Sequence, residues 1–309
     1  MSNTLSKLQS DIISTLVYYD IFDYPLKLNE LLLNSKLSPK PDKASFVNAI
    51  NELKNKNIVN INNDLYAINK SNSIFKNRLS GNELAEKLMP KAIKRSKFIA
   101  AFPFVKAVYL SGSISKGYMA EDGDIDFFII AESGRLWIAR TLLILFKKIF
   151  LLNSYKTFCV NYFIDDKNLE IEEKNLFTAT ELVTLIPTYD YGIHMQFKNA
   201  NKWANDYFPN NELPENAKIS KGKRSLKKAL FELPFYGKLG DKIDTFFLNL
   251  TLRKWQKKFG YLPTKEFDIA LKSRPYVSKH HPQNFQKRVL DTYAEKCRVF
   301  EKEYSISLS

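Results

Sequence analysis

Val108-Tyr-Leu-Ser-Gly-Ser-Ile-Ser-Lys-Gly-Tyr-Met-Ala-Glu-Asp-Gly-Asp-Ile-Asp-Phe-Phe-Ile-Ile130 is the stretch whose reading decides the fold. An apolar strand, Val105 to Leu110, runs into Ser111-Gly112-Ser113. Gly112 lets the backbone approach a ligand closely. Ser113 and Ser115 offer N–H and O–H donors to an anion at a helix start, and Lys116 adds a positive charge. After Gly123, Asp124-Ile125-Asp126 leads a second apolar strand, Ile125 to Ala131. Strand alternation puts Asp124 and Asp126 on one face and Ile125 on the other. Two neighbouring carboxylates repel, and a divalent cation between them removes the repulsion. Mg²⁺ suits such a pair, because it keeps waters and completes its shell with substrate phosphates. A donor-rich Gly-Ser loop facing an acid pair fits phosphoryl or nucleotidyl transfer.

The flanks are read from periodicity. Upstream of the strand, Asn82 to Phe98 has helical spacing. Downstream, Leu136 to Leu152 is an apolar helix interrupted by Arg140, Lys147 and Lys148. It falls short of the roughly 20 apolar residues of a membrane span and reads as a buried helix. A third strand follows over Thr157 to Ile164, then a helix around Ala179 to Leu185 that ends before Pro187. Cys159 on the third strand reads as buried and inert.

At the Gly-Ser and Asp-x-Asp residues the chain resembles the DNA polymerase beta-like nucleotidyltransferase superfamily. Its signature is an apolar residue, Gly-Ser or Gly-Gly, a short spacer, then Asp-apolar-Asp/Glu-apolar. Here Gly112-Ser113 is followed by ten residues and Asp124-Ile125-Asp126-Phe127. The resemblance implies that Gly112 and Ser113, with Ser115 and Lys116, hold a nucleoside triphosphate. It implies that Asp124 and Asp126 bind two Mg²⁺ ions, for which Mn²⁺ can substitute. It also implies a third catalytic carboxylate on the third strand, where Cys159, Asn161, Phe163 and Asp165 share a face. Asn161 stands mid-strand where an acid is expected, and Asp165 lies nearer the strand end. The two are about 13 Å apart on a regular strand, so only one can reach the metal pair. Asp165 there completes a catalytic set of Asp124, Asp126 and Asp165. Asn161 there leaves no group to take a proton.

Residues 5–70 read as three helices and a hairpin. Leu5 to Tyr19 has helical spacing and is broken at Asp23-Tyr24-Pro25. Leu28 to Asn34 forms a second helix. A third, capped by Asp42 or Ser45, runs to about Lys56. Ile58 to Ile61 and Leu65 to Ile68 flank Asn62-Asn63-Asp64, a hairpin signal. This is the element order of a winged helix-turn-helix. The segment nets only +1, however, which disfavours duplex DNA binding and favours a packing or protein-interaction role. The last hundred residues read as helices: Lys223 to Leu230, Asp241 to Phe259 and Pro282 to Tyr304. His280-His281 is expected in an exposed loop, and Trp203 and Trp255 in the core.

Composition narrows the class. The 309 residues carry 45% apolar and 14% aromatic side chains, which excludes a disordered or collagenous chain. Two cysteines exclude a disulfide scaffold. The opening MSNTLSKLQSD has no apolar leader, so a cytoplasmic protein without a membrane partner is expected. The net charge of +14 divides into +1 for 1–70, +1 for 71–217 and +12 for 218–309. The last segment is therefore the expected contact for a polyanionic or RNA acceptor.

The sequence thus predicts an α+β protein. A winged-helix-like module (1–72) precedes a central mixed-sheet nucleotidyltransferase domain (73–200) and a basic helical C-terminal region (201–309). The expected activity is Mg²⁺-dependent transfer of a nucleoside monophosphate from a nucleoside triphosphate to a hydroxyl of RNA, a protein or a small molecule. The alternative is a weak or inactive nucleotidyltransferase fold that binds nucleotides as a regulatory module.

Overall fold

A computed structural model describes residues 5–68, 71–152, 156–211, 220–221 and 225–308. The first helix, α1 (Lys7–Asp20), begins with a reciprocal cap between the Ser6 hydroxyl and Gln9. Next come β1 (Leu26–Lys27), α2 (Leu28–Leu33) and α3 (Lys43–Asn55), the last capped by Asp42 on Ser45 N at 2.9 Å. Then β2 (Asn60–Asn62) and β3 (Leu65–Ala67) form a hairpin, and β1 pairs with β3 on its other side. Asn63 and Asp64 turn the hairpin with φ of 48° and 60°, the left-handed region such a turn requires. The outer surface of α3 mixes exposed Lys43 and Lys54 with Asp42 and Glu52.

The long helix α4 (Asn72–Ala100) starts ten residues earlier than its apolar spacing indicated, capped by Ser71 and continuing through Pro90. It leads to β4 (Val105–Ser111), the single turn α5 (Gly112–Ser115), β5 (Asp126–Ala131), α6 (Leu136–Phe150) and β6 (Cys159–Asp165). Then follow α7 (Leu176–Val183), β7 (Ile186–Asp190), α8 (His194–Ala200), β8 (Ser220–Lys221), α9 (Leu226–Glu232), α10 (Gly237–Phe259) and α11 (Thr264–Ala270). The chain closes with β9 (Ser273–Arg274), β10 (Val277–Lys279) and α12 (Phe285–Tyr304). The start expected at Lys223 for the helix that is now α9 lies outside the described residues.

Among the described residues, seven strands form one mixed sheet in the order β8-β7-β4-β5-β6-β10-β9. Strands β4 and β5 are antiparallel, and β5 and β6 are parallel. Alternation sorts the apolar run of β5. Phe127, Ile129 and Ala131 pack with α4 and α6, while Phe128 and Ile130 pack with α7 and α8. A strand covered on both faces reads as a continuous apolar run, as this one does. The C-terminal region is not only helical. Its strands β8, β9 and β10 extend both edges of the central sheet, and α12 places Val289 and Phe300 in the core of the N-terminal module.

One arginine joins that module to the sheet. Arg78 of α4 is 1% exposed. Its Nε donates to Pro25 O at 3.1 Å, its Nη2 pairs with Glu30 at 2.7 Å, and its guanidinium lies 4.1 Å from the centre of the Tyr24 ring. Tyr24 in turn donates its hydroxyl to Lys116 O at 2.6 Å. From α4 itself, Arg78 also donates to the Asn82 side chain, and Asn82 donates to Gly117 O. Gly81 O accepts from Met119 N at 2.9 Å, and a Cβ at Gly81 would overlap the Tyr118 ring. The N-terminal module and α4 therefore hold the loop after α5 from two sides. Removing a buried charge partner typically costs about 3 kcal/mol. Arg78→Leu is expected to lower stability by roughly that amount in urea unfolding, and a loss under about 0.5 kcal/mol, the ordinary range of surface changes, would contradict the hub role.

Candidate active site

The register of two strands builds the site. Ser111 at the end of β4 pairs with Asp126 at the start of β5. The Gly-Ser turn and the acid pair are thereby side by side at one end of the sheet. Gly112 has φ +66°, and a Cβ there would lie 2.5 Å from Asp126 Oδ2. Glycine is required at this position both by conformation and by space. Ile125 is fully buried between Asp124 and Asp126, which are both partly accessible, as alternation predicts.

The loop's polar groups are partly committed. Ser115 Oγ donates to Gly112 O at 2.8 Å, and Ser113 Oγ approaches Met119 Sδ at 3.8 Å. Lys116 Nζ bonds Gly112 O at 3.1 Å and Glu181 Oε1 at 2.8 Å. Glu181, from α7, is a carboxylate that sequence reasoning missed. It lies well outside the signature stretch, and its i+4 neighbours gave no sign of it.

The acid pair is electrostatically strained. Burial pushes the Asp126 carboxyl up to about 6, with Asp124 and Glu181 adding to the rise and the Cys159 thiol and Lys116 opposing it. Asp124 is also raised, chiefly by burial, against the pull of Lys147 and Lys156. Burial and the adjacent Asp126 push the Cys159 thiol up, so it stays protonated and donates to Asp126.

The third position holds Asn161. Its Nδ2 donates to Asp126 Oδ1 at 3.3 Å and lies 3.5 Å from Cys159 Sγ. Of the two candidates for the third position, Asp165 is the one that lies away from the acid pair. Asp126 pairs with Cys159 and Ala131 with Asp165, so Asp165 lies at the far end of the strand. Its Oδ1 is occupied by Lys167 N, Asn168 N and Asn168 Nδ2 at 2.8–3.1 Å. The shared face expected for Asn161 and Asp165 is also broken. Opposite Phe127 and Phe128 stand Val160 and Tyr162, which leaves Asn161 as an extra residue in a bulge. A bulge reverses the alternation beyond it. Tyr162 accordingly packs its ring 5.2 Å from Phe128, while Phe163 turns to the α6 face.

The histidine pair is also corrected. His280 is not in a remote loop: its N–H donates to Asn161 O at 2.9 Å, extending the β10–β6 pairing to the site. Its ring lies 4.9 Å from Trp255. Burial, together with Arg140, Lys147, Lys258 and Lys254, holds His280 down at about 4, so it is neutral at pH 7.

Asp126 ionises near pH 6 in the folded chain and near 3.8 when unfolded. Stability is therefore lost as pH rises between those values and stays lost above them. Asp126→Asn is expected to raise Tm by about 2–4 °C at pH 7.5, the effect of roughly 1 kcal/mol, with the gain vanishing below pH 4 in a thermal melt series.

Among the described residues, no group of three or more His, Cys, Asp or Glu could hold a metal, and no helix is long and apolar enough to cross a membrane. No curated protein and no solved structure matches the chain. Residues 91–184 do match the model of the nucleotidyltransferase domain family. That span runs from the middle of α4 through α7 and contains the Gly-Ser turn, both aspartates, Asn161 and Glu181, so it is the centre of this chain that is similar to a nucleotidyltransferase domain.

Proposed function

We propose that the domain transfers a nucleoside monophosphate from a Mg²⁺-bound nucleoside triphosphate to a hydroxyl acceptor. The observation that carries this is the Ser111–Asp126 register, which sets a donor loop against two carboxylates. The donor set fits a divalent cation. Asp124 and Asp126 are like charges that burial already disfavours, and only Asp126 has the Asn161 amide and the Cys159 thiol as local hydrogen-bond donors. Two carboxylates leave room in the shell for substrate phosphates and water. When bound, such an ion shields the triphosphate and acidifies the acceptor hydroxyl.

The chain's own residues do the rest. The Gly112-Ser113 backbone approaches and orients the triphosphate, and the Lys116–Glu181 pair fixes the loop from behind. Asn161 holds Asp126 in place but cannot take a proton. This last point favours a second reading, a nucleotide-binding domain with slow turnover or none. The N-terminal module serves as a packing clamp on the loop, a role supported by the Tyr24–Lys116 bond rather than by charge.

Asp124→Asn and Asp126→Asn should each abolish the stabilisation by Mg²⁺–ATP in a thermal shift assay, and an undiminished shift would remove the pair from the metal site. Asn161→Asp supplies the missing base. It is expected to raise pyrophosphate release by at least about 100-fold, the low end of a general-base contribution. Equal rates in the wild type and the variant would exclude the third position from the chemistry.

A further inference from the structure

Beside the acid pair, on the side away from the Gly-Ser loop, the chain gathers cations. Arg140 of α6 is 9% exposed, yet among the described residues its guanidinium has no hydrogen bond or ion pair. Its guanidinium is instead stacked between Trp137 at 5.3 Å and Trp255 at 5.0 Å. Two turns along the same helix, Lys147 faces Asp124 and Cys159. Helix α6 runs back to the end of the sheet where β5 begins, so its last turns return to the acid pair. Across from it, α10 contributes exposed Lys254 and Lys258. Lys254 lies close enough to Lys148 for their charges to oppose each other. His280, bonded to Asn161 and set against Trp255, closes the group.

A buried guanidinium without a carboxylate is costly unless an anion completes it. A like-charge lysine pair carries the same meaning. Building on the nucleotidyl-transfer reading, we infer that Arg140, Lys147, Lys254, Lys258 and His280 form a subsite for a phosphate group of the acceptor. The position separates it from the triphosphate. Strand order places the Gly-Ser loop on the β4 side of Asp126, and Asn161 and His280 on the β6 and β10 side. In-line displacement needs the attacking oxygen and the leaving pyrophosphate on opposite sides of the reacting phosphorus. The acceptor's phosphate is either a monoester on a small molecule or a diester in a single-stranded polynucleotide.

The test uses the full chain and the emission of Trp137 and Trp255, which stack on Arg140. Wild type is titrated with inorganic phosphate in one arm and with a short oligouridylate in the other, each repeated by calorimetry. Saturable quenching is expected, with affinity falling about tenfold in Lys254→Ala/Lys258→Ala, a pair of exposed substitutions that spares the core. Trp255→Phe should remove most of the quench while calorimetry still reports binding. Phosphate binding alone assigns a monoester, and oligouridylate binding alone assigns a diester. Asp126→Asn should keep this affinity whether or not the domain turns over, which separates the subsite from the transfer reaction. Absence of binding in both arms, or unchanged affinity in the lysine double variant, overturns the subsite.

Discussion

Nothing larger than a hydrogen fits between Gly112 and the Asp126 carboxylate, and the rest of the site is arranged around that contact. Antiparallel pairing of β4 and β5 fixes it, because a slip of one residue would turn Asp126 to the other face and bury it under α6. With that register set, the parallel β6 can only bring Cys159 and Asn161 to the acids, and β10 can only bring His280 to Asn161. The Arg78 hub secures the other end of the loop, so the turn that approaches Asp126 is held both by the sheet and by the N-terminal helices.

The part of the site legible in the sequence was the part made within one continuous stretch. Gly112, Ser113, Asp124 and Asp126 lie close together in the chain, and alternation alone gave Ile125 its burial. The third position was not legible. Period-two counting placed Asn161 and Asp165 on one face, but the bulge at Asn161 inserts a residue and reverses everything after it. Asp165 then satisfies backbone N–H groups in its own turn, a local use that a strand pattern does not signal. Glu181 and His280 come from elements far along the chain, and only tertiary pairing identifies them.

Fold class rests on the resemblance at Gly112-Ser113 and Asp124-Ile125-Asp126, with the order of strands and helices around it in agreement, and the missed pieces were short. Strands β8, β9 and β10 are two or three residues long, below the length at which periodicity carries information. They matter out of proportion to their size, since β10 brings the basic C-terminal segment to the acids. The charge excess of that segment was visible by counting, but its focus was not. Arg140 and Lys147 belong to a near-neutral segment, and they join Lys254 and Lys258 only through the packing of α6 on α10.

The late arrival of β10 has a consequence for synthesis on the ribosome. Strand β6 is complete once residue 165 has emerged, but its outer edge stays unpaired until residues 277–279 follow. At a translation speed of roughly 5–20 residues per second, that is an interval of roughly 6–20 seconds with an open strand in an apolar sheet. Such an edge is a template for pairing with another chain. Nascent polypeptides stalled within this window would be the ones that need a chaperone, and release of a chain truncated before β10 would leave the hazard permanent.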